Sequence, residues 1–320
     1  MVRRVPEPRR GKPQMKSRLT VLITAIAFAA VTVAAGCGSS NNDNTGSTGG
    51  GTLTAASFSV QADPAVAGQV PAAIKSKGTL TVAADATYPP DEYIASDGKT
   101  VIGMDADLAK ALAQVMGLQA SVQNVTFDAI IPGLAAGKYD LGMSSFTDTK
   151  EREQTVDFVT YLQAGSSIYV KADGGPDLTS LDALCGHMVS AERGTIQSDQ
   201  IDEQDKKCKA EGKPGVTPVI LPDQNGVNLA VTSGRADAAM ADSPVAAYIA
   251  EKSNGQLKVT GGPFPPEPYG IAIPKDSGLA QPVLAGIKAL IADGTYKKIL
   301  EYWGLQAGAI DNPTIDGAVS

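Results

Sequence analysis

The sequence predicts an α/β fold of two related lobes, each a mixed, mostly parallel sheet flanked by helices. From Gly78 onward, apolar runs of strand length alternate with stretches of helical spacing, the pattern of βαβ units. The same pattern starts again after about residue 170. Two segments also align without gaps: Gly137-Lys138-Tyr139-Asp140-Leu141-Gly142-Met143-Ser144-Ser145 and Gly234-Arg235-Ala236-Asp237-Ala238-Ala239-Met240-Ala241-Asp242. Both read Gly, base, any residue, Asp, two residues, Met, then a short side chain. Two lobes built on one helix–turn–strand unit would place Ser145 and Asp242 equivalently, just past a strand's carboxyl end. That is where open α/β sheets bind ligands.

In order along the chain, Leu80–Ala84 reads as a buried strand and Asp105–Met116 as a helix stopped at Gly117. A strand at Val122–Val125, a short helix at Asp128–Ala136 and a strand at Asp140–Met143 follow. The second half gives a strand at His187–Ala191, a helix at Ile196–Lys209, a strand at Val216–Leu221, a helix at Val227–Ser233 and a strand at Ala236–Met240. Ser243-Pro244 opens a further helix, with Pro at its first position. A strand at Tyr269–Ile273 and helices at Ser277–Ala292 and Tyr296–Trp303 complete the series.

Charge is divided unevenly. The formal net charge is −7, yet residues 1–36 hold seven Lys/Arg and one acid, so the remainder carries 20 basic and 33 acidic residues. A body that acidic, with no basic cluster, argues against nucleic acid or anionic lipid as a partner. The basic N-terminal stretch ends at Arg18 and gives way to Leu19–Val33, apolar apart from three Thr and short for a spanning helix. It closes on Ala34-Ala35-Gly36-Cys37, which resembles the bacterial lipobox: cleavage leaves Cys37 first, and its sulfur carries a lipid. Residues 15–37 already form a complete signal, so Met15 is an alternative start. The Gly/Ser/Asn-rich stretch that follows buries nothing, and residues 37–73 are expected to be a flexible tether.

Three cysteines make an odd count in an exported chain. With Cys37 lipidated, Cys185 and Cys208 remain to pair outside the cytosol. The zinc alternative lacks a fourth ligand, since His187 is the single histidine. Catalytic signatures are also missing: there is no G-x-S-x-G, no phosphate-binding Gly loop and no H-E-x-x-H. No cofactor, metal or catalytic residue is expected.

Four local features stand out: Asp85-Ala86-Thr87-Tyr88-Pro89-Pro90, Ser144 to Arg152, Glu192-Arg193-Gly194-Thr195 and Met240-Ala241-Asp242-Ser243-Pro244. In the second, hydroxyls run into an expected helix start, where free N–H groups favour an anion and Asp148 with Glu151 would form a cap. Asp242 is an equally reasonable helix N-cap. Together with Gly103 to Leu108, Phe127 to Leu134, Val156-Asp157-Phe158, Tyr269 to Lys275 and Gly294-Thr295-Tyr296, these stretches resemble, in order, the solute-binding proteins of polar amino-acid ABC importers. The resemblance runs from about Gly78 to Gly304 and covers the family's closing helix before Tyr302-Trp303.

The resemblance implies the two-lobed fold of type II periplasmic binding proteins, with lobe one at 74–166 plus 268–320 and lobe two at 167–267. Crossing segments are expected near Ala164–Tyr169 and Gly262–Tyr269. It also implies roles. Arg152 would clamp a ligand α-carboxylate, its planar fork matching two oxygens. Thr147 and Thr195 would donate to the same group. The Ser145 carbonyl and the Asp242 carboxylate would take the α-ammonium. Tyr88 and Phe127 would be aromatic walls around the ligand side chain, and Asp85 would meet its polar end.

Counting charge, Arg152 and Asp242 neutralise a zwitterion and Asp85 leaves one surplus negative charge. Arginine, lysine or ornithine would cancel it, and the Ser144-Ser145 pair points the same way; glutamine is the alternative. Glu192 and Arg193 are read as a pair at the cleft rim. Asp91 departs from the family, which places an aromatic residue there. The expected partners are an amino acid, a membrane permease and a lipid anchor, with the chain a monomer held at the outer face of the membrane. Two rivals are a dehydratase-like enzyme on the same fold, with Glu192 as its acid or base, and the sensor domain of a receptor.

Overall fold

The computed structural model describes residues Phe58–Val319, so the expected signal segment and Cys37 lie outside the described residues. The chain enters through helices α1 (Pro64–Gln69) and α2 (Ala72–Lys77), then β1 (Thr79–Ala84), β2 (Thr87–Tyr88), β3 (Glu92–Ile94) and β4 (Val101–Ile102). Next come α3 (Met104–Val115), β5 (Gln119–Asn124), α4 (Phe127–Ala135), β6 (Leu141–Gly142) and β7 (Val156–Ala164). The middle contains β8 (Ser166–Lys171), β9 (Met188–Glu192), α5 (Ile196–Ala210), β10 (Thr217–Leu221), α6 (Gln224–Thr232), β11 (Ala238–Asp242), α7 (Ser243–Lys252) and β12 (Leu257–Gly261). The chain ends with β13 (Glu267–Pro274), α8 (Ala280–Ala292) and α9 (Thr295–Trp303).

Two five-stranded sheets share one plan. The first runs β5-β1-β6-β13-β7 and the second β10-β9-β11-β8-β12. In each, the central strand has a parallel neighbour on one side and an antiparallel one on the other: β1 and β13 beside β6, β9 and β8 beside β11. The aligned sequence segments are these two central strands with their lead-ins. Their shared aspartates serve one purpose. Asp140 Oδ2 accepts from the Thr81 N–H of β1 at 2.6 Å, and Asp237 Oδ2 from the Met188 N–H of β9 at 2.9 Å. Each carboxylate holds a backbone N–H of the neighbouring parallel strand, fixing register where a slip would turn every side chain over.

The tether expectation ends too far along the chain. Asp63 caps α1 by accepting from Ala65 and Val66 N–H, and Val66 and Val70 are buried in the first lobe's core. That core lies between α3, α8, α9 and the first sheet, with Leu112, Ile287 and Leu290 fully buried. Gly286 lets α8 approach α3, since a Cβ there would lie 2.5 Å from Leu112 Cδ1.

The chain passes between the two sheets twice, at Gly165 and over residues 262–266. Strands β7 and β8 meet at the first crossing and are separated only by Gly165. There is no room for a side chain: a Cβ on Gly165 would sit 2.1 Å from the Phe264 carbonyl of the second crossing. Phe264 N–H donates to the Ser166 carbonyl at 2.9 Å, so the two connections lie side by side. On the far edge of the first sheet the C-terminal tail shields β7. Thr160 N–H donates to the Thr314 carbonyl at 2.9 Å, and Asp316 N–H to the Phe158 carbonyl at 3.0 Å.

Cys185 and Cys208 are disulfide-bonded, tying the segment before β9 to α5 within the second lobe. The bridge spans 23 residues, and closing such a loop is worth about 3 kcal/mol in the chain-entropy description. Replacing both cysteines by serine is expected to lower the melting temperature by roughly 5–10 °C, read by calorimetry. An unchanged melting temperature would show that the bridge only decorates a lobe already rigid.

Candidate functional site

The carboxyl ends of β1, β6, β9 and β11 converge on one small cavity of about 10 Å³ between the two sheets, room for roughly one water. Tyr88, Phe127, Ser144, Ser145, Thr147 and Arg152 line it from the first lobe, and Thr195, Ile196, Gln197 and Asp242 from the second. Tyr88, Phe127, Ser144, Ser145, Thr147, Arg152, Thr195 and Asp242 were named from the sequence. Asp85 and Glu192 are not in the lining; both lie deeper, at 2% and 1% exposure.

Arg152 bridges the lobes. Its Nη1 donates to the Thr147 carbonyl at 2.7 Å, and its Nη2 to the Gly194 carbonyl of the second lobe at 2.9 Å. The guanidinium lies 5.5 Å from the ring centres of both Phe127 and Phe146, which stack on each other at 4.4 Å. Phe127 is the first residue of α4, and Tyr88 completes the aromatic wall 6.0 Å away. Burial lowers the Arg152 pKa, but a guanidinium keeps its charge.

The helix start expected after Thr147 is absent. Only a 3₁₀ turn, Arg152–Gln154, precedes β7. Asp148 does not cap it; its buried carboxylate accepts from Gly317 N–H at 2.8 Å and so holds the C-terminal tail. The helix whose N-terminus faces the cavity is α5, in the other lobe. Thr195 caps it by accepting from Ser198 N–H at 3.2 Å, leaving the N-terminal end of a 15-residue helix toward the cavity. Gln197, in that helix's first turn, was missed by sequence reasoning. Its amide donates at 2.9 Å both to Asp242 Oδ1 and to Ser166 Oγ.

Asp242 stands at the N-cap position of α7 but makes no side-chain cap bond. Its carboxylate therefore turns to the cavity. Burial pushes its pKa up to about 6, against the pull of the Gln197 amide and the Arg152 charge. Ser145, its counterpart in the first lobe, adopts the left-handed region at φ 50°. That conformation is held from behind: Ser145 N–H donates to Asp105 Oδ2 at 2.8 Å, and Ser145 Oγ to Asp91 Oδ2 at 3.0 Å. Ser144 Oγ likewise points inward, to Glu92 Oε1 at 2.7 Å. The serine hydroxyls thus serve the scaffold.

Asp91 belongs to this inner set, together with Glu92 and Asp105, all buried. Burial and then the neighbouring carboxylates raise Asp91 and Glu92 well above the usual range; burial raises Asp105 to about 6. The aromatic residue absent at this position is replaced by a hydrogen-bond acceptor for Ser145.

The pair expected at the rim does not form. Glu192 is buried at the end of β9, while Arg193 turns outward and reaches Asp128 of the first lobe at 3.5 Å. Asp85 is held by its own lobe, accepting from Thr87 Oγ1 at 2.7 Å and Phe127 N–H at 2.9 Å. Its pKa is raised by burial, which those two bonds oppose. His187 sits outside the cavity, 3.4 Å from Asp237. Among the described residues, no group of three or more His, Cys, Asp or Glu is placed to hold a metal ion, and no helix is long and apolar enough to cross a membrane.

This architecture has known relatives. The Arginine-binding protein ArgT of Corynebacterium glutamicum is 37% identical over 254 residues, covering 79% of this chain and 83% of its own. An ancestral arginine-binding protein solved with arginine superposes with a TM-score of 0.66 at 35% identity, over 71% of this chain and 98% of that one. The ancestral amino-acid-binding protein AncCDT-1, a precursor of cyclohexadienyl dehydratase, gives 0.65 at 36% identity over 72% and 97%. Residues 80–306 match the bacterial extracellular solute-binding proteins, family 3, and the chain belongs to that family.

Proposed function

We propose that the chain captures an amino acid with a cationic side chain, arginine, lysine or ornithine, and delivers it to the permease of an ABC importer. The observation that carries this reading is the placement of Arg152 and Asp242 on opposite sides of one cavity, with Asp85 buried beyond the aromatic wall. A zwitterion pairs its carboxylate with the Arg152 fork, the Thr147 and Thr195 groups and the N-terminus of α5. Its ammonium meets Asp242 and the Ser145 carbonyl. The side-chain stem lies between Tyr88 and Phe127, hidden from water, and its charge answers Asp85. A buried carboxylate held by neutral donors alone is costly, so a cation there gains more than an amide would. Glutamine, whose amide can donate to Asp85, is the second reading.

Capture works by closure. Cross-lobe contacts already exist at Arg152–Gly194 and Arg193–Asp128, and Gln224 N–H donates to Thr87 Oγ1 at 3.2 Å. A ligand touching both lobes adds contacts that only the closed form has and shifts the equilibrium toward it. We read the chain as a binder rather than an enzyme because its polar groups match the charges of an intact zwitterion. In this reading residues 1–36 are a lipoprotein signal, and Cys37 carries the lipid. A monomeric binding body is thereby held beside the membrane, where the permease recognises its closed form.

Isothermal calorimetry against the twenty amino acids plus ornithine and citrulline tests the assignment. Arginine, lysine or ornithine should bind most tightly, and Arg152→Ala should weaken binding by about 100-fold or more. Heat with none of the amino acids would refute amino-acid capture; affinity unchanged in Arg152→Ala would refute the carboxylate clamp.

A further inference from the structure

Two carboxyl groups meet deep in the cleft from opposite lobes. Asp85 ends β1 and Glu192 ends β9, and their side chains lie against each other. They are not equivalent. Asp85 has bonds from Thr87 Oγ1 and Phe127 N–H, as a carboxylate would. Glu192 is 1% exposed, and neither Oε1 nor Oε2 has a partner at hydrogen-bond geometry. Among the described residues no Lys or Arg forms an ion pair with it: Arg193, next in the chain, is engaged with Asp128 outside.

Among the titratable groups around Glu192, the carboxyls disfavour a second negative charge and the Tyr88 hydroxyl is the one that eases it. These groups are Asp85 at the end of β1, Tyr88 on β2, Tyr169 on β8 and Asp223 ahead of α6. Burial, and then the charge of Asp85, pushes the Glu192 carboxyl up to about 9, so it holds its proton at neutral pH. The Asp85 carboxyl and the Tyr88 hydroxyl are the polar groups against those two oxygens, and neither brings a positive charge that would hold Glu192 ionised. A planar, multi-donor cation arriving between the two carboxyls would bond to both.

We propose that Glu192 is a proton-bearing second carboxyl of the side-chain pocket, which ionises only when a cationic side chain enters beside Asp85. The inference rests on the reading of the cleft as a site for cationic amino acids. In the balanced step, the neutral Glu192 carboxyl and the incoming cation become a carboxylate–cation pair, and one proton passes to solvent. Asp85 alone would cancel one positive charge; Glu192 supplies the second pair of acceptor oxygens that a guanidinium needs, without leaving the empty cleft with two buried charges. A neutral side chain would leave Glu192 protonated and release nothing. The arrangement therefore selects for charge as well as for shape.

The sign of the pH effect follows. Because binding expels a proton, affinity rises with pH from neutrality toward about 9, above which the ligand's own α-ammonium also loses its charge. The slope is at most tenfold per pH unit for one proton.

Calorimetry of the purified protein with arginine at pH 7, repeated in phosphate and Tris, reads the proton directly from the difference in buffer ionisation heat. The arginine guanidinium does not titrate there. We expect close to one proton released per arginine, and an affinity about tenfold higher at pH 8 than at pH 7. Glu192→Gln should bind arginine with no proton released and a flat profile, while Glu192→Asp retains the release. Should Glu192→Gln not fold, the wild-type proton count and the Glu192→Asp variant decide the matter. Arginine binding without proton release would overturn the proposal and leave the cation-binding reading intact. Release that persists in Glu192→Gln would overturn it as well, by assigning the proton elsewhere. No arginine binding in any buffer would overturn both together.

Discussion

The guanidinium of Arg152 is the point through which both lobes are connected at the cavity. It is anchored on one side by the Thr147 carbonyl, at the end of the first lobe's central strand unit, and on the other by the Gly194 carbonyl, in the turn that opens α5. Two stacked phenylalanines support it from below. A planar fork with several donors can hold both carbonyls and still offer N–H groups to a carboxylate; an ammonium of the same charge cannot. The rest of the fold serves this geometry. The paired crossings at Gly165 and Phe264 join the lobes along one short seam, and the two central strands bring Ser145 and Asp242 to matching places on either side of it.

The electrostatic balance of the cleft is unusual for a protein interior. Asp85, Asp91, Glu92, Asp105, Glu192 and Asp242 are all buried, and of these Asp242 is the one that shares the cavity with Arg152 and feels its charge. Such a set persists by two means. Backbone and hydroxyl donors stabilise some members as anions, as Thr87 and Phe127 do for Asp85, while others stay protonated because burial and their neighbours raise their pKa. The outcome is a set of acidic groups fixed in position within the fold.

Much of this was legible in the sequence because it follows from periodicity and repetition. The Gly-x-x-Asp lead-ins identified two equivalent strands, and the aspartates proved to hold equivalent backbone N–H groups. Eight of the ten residues named as a site line one cavity, while Asp85 and Glu192, both at strand ends, lie outside its lining. What escaped was set by tertiary context. Strand β7 is not identified from the sequence, and β8 falls largely within an expected crossing segment, because the turn punctuation between them is Gly165 alone. Helices α1 and α2 are six residues each; α1 and its C-cap bury Val66 and Val70 in the body, and α2 packs Ile74 against the same core, which local pattern does not reveal. Glu192 looked like a rim residue because charged side chains are nearly always exposed unless paired. Only the three-dimensional structure shows it enclosed and without a counter-charge. Asp148 was read as a cap for a helix that is not there; its carboxylate is instead committed to Gly317, 169 residues away in sequence.

If the Arg152 fork is what couples ligand capture to lobe closure, then charge at that position is not enough. Small-angle X-ray scattering of the purified protein with and without saturating arginine, compared with Arg152→Lys, separates the two. The account predicts that arginine reduces the radius of gyration of the wild-type protein but leaves Arg152→Lys open even when ligand is bound. Equal compaction of both proteins would contradict it.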